Sequence, residues 1–373
     1  MRTVDVAVIG GGVIGTAAAW LLAEAGLSVD LYERDELAAG ASGRNSGSIQ
    51  RPFDPTLAEL HRETLAIYRR LTETSGSLPA RGGFRLPDGP AGLLLLGSDA
   101  DAIRELVGAV SGDHPELEPS FLGPDDLARA EPAVARGLAA CRLETGYPVR
   151  PSSATRAFAR AAEAAGATVH LRSEVWMSVQ HGSATVASVR DGDLEAGAIV
   201  IATGPWTPRL VDPGGHWTPI RRTWGVTVAV ELEDAPSAVL EEVGTEALGA
   251  DEIPTLFSLV TAEGASVVGS TFLDGEPDAA RLGPELVARG AAFVPAIAGA
   301  SIREIRRCAR PQSVDGRPLV GRVPGMERVF IAAGHGPWGI STGPATARMV
   351  ADLVLGRDAA IPAALDPARF GAP

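Results

Sequence analysis

The chain has 373 residues, 45% hydrophobic and 21% charged, enough for two domains with a sizeable core and too apolar for a disordered, collagen-like or disulfide-scaffold protein. It contains no lysine: all 33 basic residues are arginines, which excludes a Schiff-base lysine, a pyridoxal-phosphate anchor and the lysine of a phosphate-binding P-loop. A net charge of −13 with interspersed acids and arginines, and a pI of about 5.0, argue against nucleic acid or an anionic membrane as partner, and two cysteines, Cys141 and Cys308, fit a reducing, cytoplasmic setting.

Residues 6–23 carry no charge, but four glycines interrupt the run, so it reads as strand, turn and helix rather than as a signal peptide or membrane span. A β-rich stretch over 3–9, glycines, an Ala/Leu-rich helix over 13–25 and a strand over 28–32 make a βαβ unit. Helical patterns follow at 56–72, 99–110, 124–130 and 152–165, then strands at 168–171, 174–179, 184–190 and 198–202. A second strand-rich stretch covers 224–233, 255–261 and 265–272, followed by a helix at 284–293 and a strand at 303–308. The chain closes with a strand at 328–332, glycines, and a helix at 339–355. No internal repeat or low-complexity linker interrupts this order.

Gly10-Gly-Gly12-Val13-Ile14-Gly15 fits G-x-G-x-x-G between the first strand and the first helix, the context in which glycines let a backbone approach a pyrophosphate at a helix N-terminus. Glu33 ends the second strand where an acid would accept hydrogen bonds from ribose hydroxyls, with Arg34 beside it. The fingerprint does not separate NAD from FAD. Farther on, Ala41-Ser42-Gly-Arg44-Asn45-Ser46-Gly47 suits a loop around a phosphate or flavin edge, or an ordinary solvent loop. Ile201-Ala-Thr203-Gly204-Pro-Trp206 ends a buried strand with a glycine, and Gly334-His335-Gly336-Pro337-Trp338-Gly339-Ile340-Ser341-Thr342 leads into the last helix.

With Arg310-Pro-Gln-Ser-Val-Asp-Gly-Arg-Pro318, these segments stand in an order that resembles the D-amino acid oxidase superfamily of FAD enzymes, in particular its glycine oxidase and sarcosine oxidase branch. The resemblance runs over nearly the whole chain. It implies an α/β architecture: a Rossmann-like FAD-binding domain, residues 1–55, 146–222 and 302–373, with an inserted, mostly antiparallel substrate domain, residues 56–145 and 223–301. It also implies that Val175 meets the adenine through its backbone. The amides of Gly339, Ile340, Ser341 and Thr342, at a helix N-terminus, would favour negative charge on the pyrimidine end of the flavin.

The implied activity is oxidation of the C–N bond of an amino acid or N-substituted amino acid, by hydride transfer to flavin N5, giving an imine that hydrolyses to a 2-oxo acid. Oxygen or another acceptor would take the electrons. Arg310 stands where the superfamily holds a substrate carboxylate, and a guanidinium offers two parallel donors for that purpose. Trp338 and Gln50 complete the substrate-binding candidates, while Trp206 and Trp224 could wall a pocket or simply pack. No side chain is nominated as general base, since orientation and electrostatics suffice, and a backbone role is expected of His335.

Three departures bear on substrate and acceptor. Pro337 replaces a second arginine found in glycine oxidases. Cys308 lies seven residues before Asp315, the spacing at which sarcosine oxidases join the flavin covalently, although its Ala-Arg-Pro context resembles the non-covalent branch. Sarcosine oxidase-like enzymes also activate oxygen with a lysine, and this chain has none. Two other functions fit the same residues: oxidation of a 2-hydroxy acid, because the Gly-Arg-Asn-Ser-Gly loop resembles hydroxyglutarate oxidases, and a FAD-carrying subunit of a heteromeric amino acid dehydrogenase.

Overall fold

A computed structural model describes residues 2–76, 83–180, 183–188, 192–244, 246–248 and 253–373. Its first layer is a sheet in the spatial order Leu319–Arg322, Val329–Ala333, Gly192–Ile201, Arg2–Ile9, Val29–Tyr32 and Thr168–His170. The four pairings from Val329–Ala333 to Thr168–His170 are parallel. Leu319–Arg322 adds an antiparallel edge, and a hairpin of Val175–Gln180 and Ser183–Ser188 folds back along Gly192–Ile201.

The central strand is buried on both faces, as parallel strands are. Val6 and Val8 point into the core beneath the helices Val13–Glu24, Pro55–Gly76, Ser153–Ala164 and Gly339–Val354, while Ala7 and Ile9 point into a second core with Leu194, Trp217 and Val329. In the helical layer the rings of Trp20 and Phe158 lie 5.6 Å apart, and Tyr68 donates a buried 2.8 Å hydrogen bond to the Ile340 carbonyl.

The second layer is a nine-stranded, mostly antiparallel sheet. Ser301–Ser313 forms one edge, followed by Ile220–Glu231, Ala265–Thr271, Ile253–Ala262 and Val239–Glu242, then Leu93–Gly97, Ala139–Leu143 and Ser120–Leu122. One face is covered by the helix Ala279–Gly290 through Leu282 and Leu286, which meet Val226, Val228, Leu240, Phe257 and Val268. Part of the opposite face carries the helix Ala100–Asp113 through Ile103 and Val110. The α/β reading with an additional antiparallel sheet is therefore the architecture found.

Four placements differ from the sequence reading. The helix expected at 284–293 begins at Ala279, because Asp278 caps it by accepting from the amides of Ala280 and Arg281, and Pro284 lies inside it. The strand Ser301–Ser313 pairs along Ile220–Glu231, so it belongs to the antiparallel sheet although the expected boundary at 302 put most of it with the cofactor layer. Conversely, Pro55–Gly76, which the expected boundary at 56 gives to the inserted domain, turns Leu57, Leu60, Tyr68 and Leu71 into the core of the parallel layer. The strands Leu93–Gly97, Ser120–Leu122 and Ala139–Leu143 fall in a stretch read only for helices; they pair with one another and, through Leu93–Gly97, with the distant Val239–Glu242.

Two buried histidines make the fold sensitive to acid. Burial lowers His335 to about 3, and burial, assisted by Arg51, lowers His61 to about 4. The unfolded chain protonates both below about pH 6.5, whereas the folded chain resists until those lower values, so stability falls as pH drops through this window. At about pH 5 the loss is on the order of 2 kcal/mol for each histidine relative to pH 7. Urea midpoints measured from pH 7 to pH 5 should therefore decline, and His61→Leu, which removes an unpartnered buried Nε2, should flatten the decline; an unchanged slope in that variant would remove His61 from the account.

Candidate active site

The carboxyl ends of four neighbouring parallel strands carry the sequence motifs. Ile9 leads into Gly10, Tyr32 into Glu33, Ile201 into Thr203-Gly204, and Ala333 into Gly334. This crevice at the strand ends is where open α/β sheets bind their ligands. At Gly10, φ is +114° and a Cβ would overlap the Ala202 carbonyl; a Cβ at Gly15 would overlap the carbonyl of Gly10. The two glycines thus allow the turn to lie against the neighbouring strand and the helix to lie against the turn.

Glu33 is drawn into this turn. One carboxylate oxygen accepts from the Gly11 amide at 2.7 Å and the other from the Asp35 amide at 2.8 Å. Ser42 Oγ accepts from the Val13 amide at 3.0 Å and so caps the first helix from the loop. The Ser173 amide donates to the Glu33 carbonyl, which brings the segment leading to the buried Val175 beside the acid. Arg34 pairs with Asp35 and lies 4.9 Å over the Trp206 ring, with Arg222 5.9 Å from the same ring. Two arginines therefore lie within cation–π reach of the Trp206 ring. Thr203 and Thr207 share a 3.0 Å hydroxyl contact, and Gly204 has φ +59°.

The small-residue loop is pinned between the layers. Asn45 donates to the carbonyls of Ala41 and Ser42 and accepts from the Gly47 amide, with half-buried Ser46 between them. Arg44 donates to the Arg307 carbonyl at 3.0 Å, and its own carbonyl accepts from Thr227 Oγ at 3.3 Å. Gln50 closes the segment: its amide donates to Ser341 Oγ at 3.0 Å, and its side chain donates to Glu241 at 3.2 Å.

The last helix starts at Gly339 with no side-chain cap. Helical geometry leaves the amides of Gly339, Ile340 and Ser341 as open donors. Thr342, expected among them, is the first residue whose amide the helix itself uses, and its hydroxyl donates to the Trp338 carbonyl. The turn before this helix is tight: Gly334 and Gly336 both have positive φ. His335 points inward, its Nε2 2.9 Å from Thr346 Oγ, and burial keeps it neutral. That placement turns the ring into the core, away from solvent. Trp338 is half-buried against the helical core and also stands as the residue preceding the helix.

Arg310 reaches across Gly225, where a Cβ would meet the guanidinium and displace it. It donates to the Thr271 carbonyl at 2.9 Å and to Ser270 Oγ at 2.8 Å, and lies 4.7 Å over the Phe272 ring. No acid partners it among the described residues, and burial pushes it below its usual range. A desolvated cation without a counter-ion is suited to an anionic ligand. Cys308 is buried two residues away, and burial raises its thiol against the weaker pull of Arg310 and Arg44. Sequence reasoning had no signal for Glu241, Thr271, Ser270 or Gly225, which join the site through strand pairing.

No group of histidines, cysteines and acids among the described residues could hold a metal, and no helix among them is long and apolar enough to cross a membrane. The glycine turn, the acid at the second strand end and the open amides of the last helix fit a flavin dinucleotide. The family model described as FAD dependent oxidoreductase matches residues 5–353. A glycine oxidase of Bacillus licheniformis is 30% identical over 363 residues, covering 94% of this chain and 93% of the relative. A D-amino acid dehydrogenase of Cereibacter sphaeroides is 26% identical over 323 residues, covering 85% of this chain and 70% of its own. The crystal structure of glycine oxidase from Geobacillus kaustophilus superposes with a TM-score of 0.81 at 26% identity, covering 100% of this chain and 99% of the other. The chain belongs to the family of FAD-dependent oxidoreductases that includes the glycine oxidases, and FAD is its cofactor.

Proposed function

We propose that this enzyme oxidises the C–N bond of an amino acid or N-substituted amino acid, and that Arg310 holds the substrate carboxylate. The observation carrying this reading is the desolvated guanidinium of Arg310, which is fixed by Thr271 and Ser270 and has no acidic partner among the described residues. The glycine oxidase and D-amino acid dehydrogenase relatives support the choice of substrate class.

Bound FAD supplies the hydride acceptor, at flavin N5; the substrate loses the Cα hydride and an amine proton to become an imine, which water converts to a 2-oxo acid and an amine. The protein's part is to orient and to stabilise charge. Arg310 fixes one end of the substrate through paired charge-assisted donors. The amides of Gly339, Ile340 and Ser341 present the positive end of a helix to negative charge on the cofactor. His335, neutral and bonded to Thr346, takes no proton, so no side-chain base is assigned. The cofactor is held without a covalent bond on this reading, because burial keeps the Cys308 thiol protonated and a thiol in that form is a poor nucleophile. Lacking lysine, the site must leave oxygen activation to another group or pass its electrons to a different acceptor.

Three measurements test this reading. Anaerobic mixing with a panel of amino acids, N-methyl amino acids and 2-hydroxy acids should bleach the flavin with the first two classes; bleaching by hydroxy acids alone would transfer the assignment to them, and none at all would end the catalytic reading. Arg310→Ala should raise KM roughly 10- to 100-fold, the equivalent of about 1.5–3 kcal/mol for a lost charge-assisted contact, and a change under about twofold would take Arg310 out of the site. Acid precipitation should release all the yellow colour into the supernatant; colour retained in the pellet would establish a covalent link, and its loss in Cys308→Ala would assign that link to Cys308.

A further inference from the structure

Two opposite charges share one face of the antiparallel sheet, and among the described residues neither meets a counter-charge. Arg310 is one. The other is Glu241, on the strand Val239–Glu242. Register places them together. Glu241 pairs with Ser258, Ser258 with Gly269, Gly269 with Thr227, and Thr227 with Arg306, four residues before Arg310 on the same strand. Directly paired residues project to the same side, as do residues two or four apart along a strand. Leu240 and Glu242 project the other way, into the core beneath Ala279–Gly290 and onto Arg289. Glu241 therefore faces the cofactor layer, where Gln50 meets it.

That meeting is fixed from both ends. Gln50 Oε1 accepts from Ser48 Oγ at 2.9 Å while its Nε2 donates to Glu241, and its backbone is tied to Ser341 at the start of the last helix. Gln50 thus satisfies one carboxylate oxygen with a neutral donor. No donor reaches the other oxygen among the described residues. Desolvation raises the carboxyl to about 7, with the Gln50 bond pulling weakly the other way, as expected of an acid that lacks a cation.

The guanidinium of Arg310 rests on the strand Ala265–Thr271, at Ser270 and Thr271. Glu241 lies two strands away, past Ile253–Ala262, about 10 Å across the sheet and one to two residues back along it. We propose that Glu241 is a specificity-determining residue that receives a cationic group at the far end of a substrate whose carboxylate is held by Arg310, so that amino acids with a distal ammonium or guanidinium are preferred. This rests on the carboxylate-binding role given to Arg310 above. An uncharged side chain would leave the acid desolvated and unpaired, whereas a cation would restore its ionised form.

The test uses the FAD-loaded enzyme and two ligands that lack an α-amine, ε-aminocaproate and caproate, titrated while the visible flavin spectrum and the thermal midpoint are followed. The wild type should bind ε-aminocaproate at least about 10-fold more tightly than caproate. Glu241→Gln, which keeps the size of the side chain and a partner for Gln50, should erase that preference without weakening caproate, and should lower the kcat/KM ratio of basic over neutral amino acids by a similar factor. Equal binding of the two ligands by the wild type overturns the proposal and needs no variant to fold; a preference that survives in Glu241→Gln overturns it as well. Equal binding with flavin bleaching by neutral amino acids would remove the cation site alone. Preference for ε-aminocaproate without bleaching by any amino acid would instead keep the cation site and remove C–N oxidation.

Discussion

The close approach of the Gly10 turn to Ala202 is the constraint from which the site is built. Parallel strands bring residues distant in sequence to one edge, but they do so only where their ends can touch. A Cβ at Gly10 or Gly15 would overlap the backbone of Ala202 or of Gly10, so the first helix starts against the sheet through glycines, and Ser42 caps it there at Val13. The loop that Ser42 belongs to then carries Arg44 to the second layer and Gln50 to the last helix. The glycine turn and the loop beside it thus join both layers at the crevice.

The second layer supplies charge at an energetic cost. A guanidinium removed from water is unfavourable unless its donors are satisfied, and among the described residues Arg310 finds only a carbonyl, a hydroxyl and the face of Phe272. The sheet offsets this by rigidity: Thr223 pairs with Arg310 and Gly225 clears the space above the strand. Such incompletely compensated charge is common where binding, rather than stability, determines the residue.

Local chemistry made part of this legible in the sequence. The Gly10–Gly15 turn, Glu33 and the glycine-rich start of the last helix each follow from short-range rules about φ, close approach and helix ends, and they stand where those rules put them. Arg310 became readable only through its family resemblance, since any arginine is more often a surface ion-pair partner. Glu241 could not be read at all. Its role depends on pairing with Ser258 and on alternation along a strand whose other neighbour, Leu93–Gly97, is a run of four leucines and a glycine that specifies neither helix nor strand by itself. The helix Ala279–Gly290 begins before its sequence suggests for a simpler reason: Pro284 is a common helix opener and hides the capping Asp278 upstream of it.

The absence of lysine also shapes how the molecule meets alkali. Its structural ion pairs, among them Arg317 with Asp54 and Arg369 with Asp315, use a cation that stays protonated far above pH 10. Arg317 grips one carboxylate oxygen of Asp54 with two nitrogens, tying the segment after the second sheet to the residues just before Pro55–Gly76. In a lysine-containing protein some such ties would discharge near pH 10. Here the cationic side of every arginine–carboxylate tie persists, and alkaline unfolding falls to groups such as Cys141, pushed up to about 11 by burial, and Tyr68, which burial pushes above its usual range.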